Sequence, residues 1–191
     1  MGHAAGKAEI KPGDTAVVIG AGTIGIVTAL SALAGGCSRV IMTDLLQPKL
    51  DLAATLGPIT PVNIRDLDPV NAIQEITGGW GADIVFEASG SVQAMERIFD
   101  LPRPGGKIVF IGMPPEPVPL DIVAAQAKEI SMRTVFRYAH VYPRAIALMG
   151  SGRLDVKPLI SRVFPFEKGI EAFEYAANPD PDTVKVQIVM D

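Results

Sequence analysis

One glycine motif constrains the fold more than any other stretch of this sequence. The apolar run 16–19 leads directly into Gly20-Ala-Gly22-Thr-Ile-Gly25, a G-x-G-x-x-G pattern, and a helix pattern over 26–34 follows. A run of this kind is typical of a strand buried on both faces of a parallel sheet. The glycines permit a tight turn, close approach of a pyrophosphate and close helix–sheet packing, and the helix N-terminus attracts phosphate. We therefore predict a dinucleotide site here that includes Thr23.

An acidic residue sharpens this prediction. Asp44 ends the next predicted strand, 39–43, and lies 19 positions after Gly25. A carboxylate at that place accepts hydrogen bonds from the adenosine ribose, and its charge disfavours a 2′-phosphate, which favours NAD over NADP. The alternative is that Asp44 caps the following helix. The role of Lys49 also stays open, since its cation could meet a phosphate, bind the ribose or adenine side of the cofactor, or be solvated.

The remaining pattern predicts an α/β fold. Strands at 61–64, 82–87, 107–112 and 129–137 alternate with helices, which indicates a Rossmann doubly wound parallel six-stranded sheet with right-handed crossovers. Ligands bind beyond the carboxyl ends of such strands. The small or apolar residues predicted at two of those ends suit a flat cofactor, and they are Ala88, Ser89, Gly90, Ile111, Gly112 and Met113.

The last part of the chain departs from this rhythm. Beyond Leu154 the pattern predicts a strand, a helix and a strand, which form a C-terminal strand-helix-strand appendage. We therefore expect residues 1–153 to form an NAD-binding Rossmann domain. Residues 154–191 are expected to attach to something else.

Composition excludes several classes of function. The 191 residues carry a net charge of −4 without a run of Lys or Arg, which argues against nucleic acid and an anionic membrane as partners. One cysteine permits no internal disulfide and fits a cytoplasmic protein, and we expect no signal peptide. The uncharged stretch 15–38 could span a bilayer in length, but glycines and hydroxyl residues interrupt it.

Four motifs together resemble the zinc-dependent medium-chain dehydrogenase/reductase superfamily, and most closely its polyol branch of sorbitol and xylitol dehydrogenases (D-xylulose reductases). They are residues 11–25 with the glycine motif, Phe86-Glu-Ala-Ser-Gly90, Arg103-Pro-Gly-Gly106 and Thr134-Val-Phe-Arg-Tyr138. The resemblance covers essentially the whole chain, and it implies a dimer joined at the sixth strand.

The resemblance also implies roles for individual residues. Ile24 would contact the cofactor, and Asp44 and Lys49 would hold the adenosine ribose. Residues 111–113 would flank the nicotinamide, Phe136 and Arg137 would contact its end, and Arg137 and Tyr138 would reach the substrate. The segment from Leu154 would return toward a catalytic domain.

The family's catalytic zinc is not expected in this part of the protein. Such a site needs three protein ligands and an open position. The candidates are only Cys37, His3 and His140, and we interpret Cys37 as a small buried hydrophobe. We expect zinc only in an N-terminal catalytic domain that this chain does not include.

Two functions fit these observations. The first is the NAD-binding part of a polyol dehydrogenase that oxidises xylitol or sorbitol to a ketose by hydride transfer to NAD. The alternative is a non-catalytic dinucleotide-binding or dimerisation module. A short-chain dehydrogenase is disfavoured because no tyrosine has a lysine four positions later, and a methyltransferase because residues 17–19, directly before Gly20, include no acidic residue. In both cases we predict a homo-oligomer joined through the exposed edge of the sixth strand.

Overall fold

The computed structural model describes residues 2–138 and 140–190, and its core is one parallel sheet of six strands in the order β3-β2-β1-β4-β5-β6. The strands are Thr15–Ile19 (β1), Arg39–Asp44 (β2), Ile59–Asn63 (β3), Ala82–Glu87 (β4), Pro102–Phe110 (β5) and Ser131–Thr134 (β6). The chain winds outward first in one direction and then, from β4, in the other. A crevice therefore opens where β1 and β4 lie side by side, at their carboxyl ends.

Helices cover both faces of the sheet. The α-helices of the described residues are Gly2–Ala8 (α1), Thr23–Gly35 (α2), Gln47–Ala54 (α3), Pro69–Ile76 (α4), Val92–Met95 (α5), Ile122–Ala127 (α6), Tyr142–Gly150 (α7) and Gly169–Ala177 (α8), the last of which belongs to the C-terminal appendage. Alternate residues of β1 enter opposite cores, because successive side chains of a strand point to opposite faces. Val18 packs with α1, α2 and α3 on one face, and Val17 packs with α4 and α6 on the other.

The C-terminal appendage forms a small unit of its own. Ile160–Pro165 (β7) and Lys185–Val189 (β8) pair in parallel in a separate two-stranded sheet, and α8 connects them. Leu154 and Leu159 are buried in the core on the α2 side. The predicted Rossmann sheet and strand-helix-strand appendage are therefore confirmed.

Several predicted boundaries were wrong. The prolines and glycines of residues 102–106 predict a turn before the strand, but these residues form an irregular part of β5, where Ala82 pairs with Pro102 and Ile84 already pairs with Lys107. The sequence pattern predicts a helix from Ser91 to about Phe99, but this helix ends at Met95, because Arg97 leaves helical geometry and the chain continues as a 3₁₀ turn. The sixth strand, expected over 129–137, spans only 131–134. It ends at Thr134 because its partner strand β5 ends at Phe110, the residue that pairs with Thr134.

One further helix differs from the sequence-based expectation. Helix α6 follows residues 114–119, a loop with four prolines, and the sequence pattern indicated no helix there. Asp121 caps this helix by accepting a hydrogen bond from the Ala124 N–H. No helix in the part of the chain that the structure describes is both long and apolar enough to cross a membrane.

Candidate dinucleotide site

The turn between β1 and α2 has the geometry that the glycine motif predicts. Gly20 has φ +99°, a region that L side chains rarely adopt. A Cβ on Gly25 would lie 1.8 Å from the Gly20 carbonyl oxygen, so the helix can approach the turn only with glycine there. A Cβ on Gly22, in contrast, would meet none of the described protein atoms within 4 Å. The protein's own packing does not require glycine at 22, and the open space beside this backbone is what an approaching phosphate needs.

Helix α2 begins directly at this turn. Gly22 is its N-cap and supplies no side chain to the first N–H groups, which in any helix lack partners within the helix. Thr23 donates its hydroxyl hydrogen to the Val184 carbonyl at 2.5 Å, so its side chain anchors the appendage to α2. Ile24 is the residue of α2 that the resemblance places against the cofactor. It is 45% exposed, because Ile26, Ala29 and Leu30 form the face against the sheet.

Asp44 joins the ends of β1 and β2. Its Oδ2 accepts a hydrogen bond from the Ala21 N–H at 2.6 Å, and its Oδ1 accepts one from the Leu46 N–H at 2.8 Å. Leu46 is the N-cap residue of α3, so the alternative role of Asp44 as that helix's cap is not what the structure shows. Each carboxylate oxygen still has acceptor capacity. Lys49 lies half-buried on α3.

A cavity of about 510 Å³ opens beside Asp44 and the glycine turn. Its wall carries apolar side chains from three separate connections, among them Leu45, Ile64 and Pro69, together with the polar Gln93. Arg97 and Asp68, joined by an ion pair at 2.8 Å, also line it. A mostly apolar concavity with few polar groups is typical of a ligand site. The sequence analysis missed this lining, although each of these residues follows a strand or begins a helix at the predicted edge.

The other half of the edge is formed by two turns that meet closely. Residues 88–90 follow β4, and residues 111–113 follow β5. Gly90 has φ +68°, and a Cβ there would lie 3.1 Å from the Met113 carbonyl oxygen. Ser89 lines the cavity, and a Cβ on Gly20 would lie 3.2 Å from its Cα. The structure therefore brings the turns 88–90 and 111–113, both predicted at strand ends, to the same edge of the sheet as the glycine motif.

Three exposed residues follow β6 at this edge. The Arg137 guanidinium lies over the Phe136 ring, 5.1 Å from its centroid, a cation–π arrangement. Tyr138 packs edge-on against Tyr142 with 5.1 Å between ring centroids. The hydrogen bond with Tyr138 raises the pKa of the Tyr142 hydroxyl above its usual value. These side chains are exposed to solvent.

The potential zinc ligands do not gather at one place among the described residues. His3 is on α1, Cys37 precedes β2 at the amino end of the sheet, and His140 follows β6. Within residues 2–138 and 140–190, no three His, Cys, Asp or Glu side chains gather as a metal site. The residues present therefore do not fit the zinc that such dehydrogenases carry.

Cys37 is a buried, unreactive thiol. It is 6% exposed in the core on the α2 side, and burial raises its pKa to about 12, with Asp14 and Asp83 adding to the shift. Because the thiolate is the reactive form, we expect iodoacetamide to leave Cys37 unmodified in the native chain and to alkylate it in denaturant. Mass spectrometry checks this, and rapid native alkylation would contradict the burial.

A comparison with known protein families assigns this chain to one of them. The profile of the zinc-binding dehydrogenases matches residues 23–151, which begin at the first residue of α2, after Gly20 and Gly22, and include Asp44 and the turns 88–90 and 111–113. The chain belongs to the zinc-binding dehydrogenase family. The resemblance to medium-chain dehydrogenases seen in the sequence is therefore confirmed.

Individual relatives lie in the polyol branch. A protein of Agrobacterium fabrum, for which D-xylulose reductase activity is proposed, is 54% identical over 98% of this chain and 54% of its own length. The D-xylulose reductase of Morganella morganii is 50% identical over 93% of this chain and 52% of its own length. The chain thus spans about half the length of the curated relatives it matches.

A solved relative supports the same placement. A Sinorhizobium meliloti protein described as a zinc-binding dehydrogenase, and solved with NADP bound, superposes with a TM-score of 0.90 at 27% identity. The match covers 98% of this chain and 55% of that one. This family fold carries a dinucleotide in that protein.

Proposed function

We propose that this chain is the coenzyme-binding part of an NAD-dependent polyol dehydrogenase that interconverts xylitol or sorbitol and the corresponding ketose. One observation carries the proposal: the open glycine turn runs into a cavity whose wall presents the Asp44 carboxylate. The D-xylulose reductases among the relatives supply the substrate class. When bound, the nicotinamide group would accept the hydride, and the residues of this chain would hold and orient it.

The cavity suits the adenosine half of the cofactor. The apolar side chains of Leu45, Ile64 and Pro69 would enclose the adenine, and Asp44 would accept hydrogen bonds from the ribose hydroxyls. Lys49 would lie near the same ribose. The pyrophosphate would bind at residues 20–25, where the α2 N-terminus offers N–H groups and a partial positive charge.

The preference for NAD rests on charge. A 2′-phosphate at the adenosine ribose would bring negative charge against the Asp44 carboxylate in a partly buried place, where Coulomb repulsion is weakly screened. The NADP found in the Sinorhizobium meliloti protein belongs to that protein. We propose NAD for this chain because of Asp44.

The nicotinamide half would extend over residues 88–90 and 111–113 toward the end of β6. Phe136 and Arg137 would lie at its end, and Arg137 and Tyr138 would face the substrate. The exposure of these three residues supports that role, because their side chains are accessible to a ligand.

The division of the chain at residue 153 is part of the same proposal. Residues 1–153 would bind the cofactor, and the appendage would face the rest of the enzyme. The appendage exposes large apolar side chains, which indicates a surface that another part of the protein covers, and they include Phe166, Ile170, Phe173 and Met190. Zinc would be held outside this chain, in the length of the relatives that it does not span.

The non-catalytic module remains the second candidate, because the described residues hold no metal cluster. A chimera separates the two. The chain is joined to the segment of the Morganella morganii D-xylulose reductase that it does not match, and NADH oxidation is followed with D-xylulose. We expect turnover with NADH. A chimera that folds and binds NADH but does not turn over would favour the module.

We also propose that two copies associate through β6. All four residues of this edge strand are exposed. The Val135 N–H bonds to the Phe110 carbonyl of β5, so by strand alternation the Thr134 N–H points outward to a potential partner. We expect a dimer by sedimentation and a monomer for Thr134→Pro, which removes this donor. Ser131→Ala, a side-chain change on the same strand, should stay dimeric, and a monomeric wild type would refute the interface.

A further inference from the structure

Glu87 closes the turn that follows β4. It is the last residue of that strand and is 0% exposed. Its Oε1 accepts hydrogen bonds from the Ser89 N–H and the Gly90 N–H, each at 2.9 Å, and from the Ser89 hydroxyl. Three donors of one turn thus converge on one carboxyl oxygen, which fixes the path of residues 88–90.

The same residue also holds the turn that follows β5. The Glu87 backbone carbonyl accepts hydrogen bonds from the Ile111 N–H at 2.8 Å and the Gly112 N–H at 2.9 Å. The Glu87 Oε2 lies against Gly112, where a Cβ would come within 2.5 Å of it and within 2.2 Å of the Gly90 nitrogen. The two turns therefore interlock around Glu87 without room for a side chain at 112.

This arrangement has a cost that packing does not explain. Among the described residues, Glu87 Oε2 has no hydrogen-bond partner, and burying an unpaired polar atom is unfavourable. The strand neighbours of Glu87 are Ile19 and Phe110, which an apolar side chain would match equally well. What the glutamate adds, and an apolar residue could not, is the fixed geometry of residues 88–90.

We propose that Glu87 is a positioning residue for the nicotinamide half of the dinucleotide. It holds the turns 88–90 and 111–113 in a single arrangement before the cofactor binds, so the ring meets a preorganised backbone surface. The adenosine half, which occupies the cavity beside Asp44, depends on Glu87 much less. This inference rests on the proposed function, because it needs a dinucleotide at this edge.

Glutamine at 87 tests this role. Glu87→Gln keeps the side-chain length but weakens the hydrogen bonds to the turn and leaves a buried NH₂ group without an acceptor. We expect calorimetry to show NADH binding weakened about tenfold, while ADP, which lacks the nicotinamide half, changes less than about twofold. The nicotinamide fluorescence of bound NADH should shift as well. Thr77→Val is the matched control, because Thr77 holds the turn at the opposite end of β4 by accepting from the Gly81 N–H. It should lower stability without changing the NADH-to-ADP affinity ratio.

The outcomes separate this role from the proposed function. Equal losses of NADH and ADP affinity in Glu87→Gln, or no loss, overturn the positioning role while dinucleotide binding stands. A wild-type chain that binds neither ligand overturns the proposed function itself. If Glu87→Gln does not fold, amide hydrogen exchange of the wild-type chain tests the positioning role instead. Slow exchange of the Ser89 and Gly90 amides before NADH is added supports the role, and exchange as fast as that of an open loop overturns it.

Discussion

Replacing Gly25 with alanine is expected to destabilise the fold by about 3 kcal/mol or more, because overpacking against backbone cannot be relieved by a rotamer change. The new Cβ would lie 1.8 Å from the Gly20 carbonyl oxygen and 2.9 Å from its carbon. Either α2 must move away from the sheet or the turn must open, and α2 contributes Ile26 and Leu30 to the core. Denaturant unfolding measures the loss of free energy.

Gly22→Ala is the matched contrast within the same turn. Its Cβ would meet none of the described atoms within 4 Å, and its φ of −74° suits alanine, so stability should fall by only about 1 kcal/mol, because alanine is a poorer N-cap than glycine. The methyl group would occupy the space of the pyrophosphate. We expect NADH binding to lose about 1.5–3 kcal/mol, the range for hydrogen bonds to a charged group.

The pair of glycine variants separates packing from binding. Unfolding and NADH titration are measured on both proteins under the same conditions. A Gly22→Ala protein that binds NADH as tightly as the wild type would place the pyrophosphate elsewhere. A Gly25→Ala protein of wild-type stability would mean that the helix does not lie as close to the turn as the structure has it.

Asp44→Asn is expected to change which dinucleotide the chain prefers. The amide keeps the shape of the side chain and can still accept from one backbone N–H, but the charge is lost. NADH binding should weaken by about 1–3 kcal/mol, as for loss of a charged hydrogen-bond partner. NADPH should lose less, or gain, because the repulsion of its 2′-phosphate disappears. Competition titrations give the ratio of the two affinities.

A nearby carboxylate controls for general charge effects. Asp51 lies exposed on α3, where its Oδ1 accepts a hydrogen bond from the Gln47 amide. Asp51→Asn removes the same charge outside the cavity lining, and we expect the NADH-to-NADPH ratio to stay at the wild-type value. An unchanged ratio in Asp44→Asn, or an equal shift in both variants, would show that Asp44 does not select the cofactor.

The sequence predicted best what short-range spacing determines. The glycine turn, Asp44 at the end of β2 and the Asp68 cap of α4 each follow from neighbouring residues. Asp68 followed by Pro69 is the typical sequence of an N-cap with proline at the first helical position, and the Asp68 carboxylate accepts a hydrogen bond from the Asn71 N–H at 2.9 Å. These features depend on a fixed local conformation of the backbone, which is why residue type and spacing are sufficient to find them.

Features that form only when the sheet is assembled could not be predicted from the sequence. The cavity joins Leu45, Ile64 and Gln93, which lie on three connections that only the strand order brings together. The role of Glu87 depends on how β5 places Gly112 beside it. The one signal for this role in the sequence was that Glu87, a charged residue, ends the apolar run of β4. Such a position is unusual, because a charged residue is seldom fully buried.

Calorimetric titration of the wild-type chain with NADH, and then with NADPH, tests the central claim most directly. The account predicts saturable binding of one NADH per chain and NADPH binding that is weaker by about tenfold or more, as expected from one uncompensated charge contact. NADPH binding equal to or tighter than NADH binding, or no binding of either dinucleotide, would contradict it.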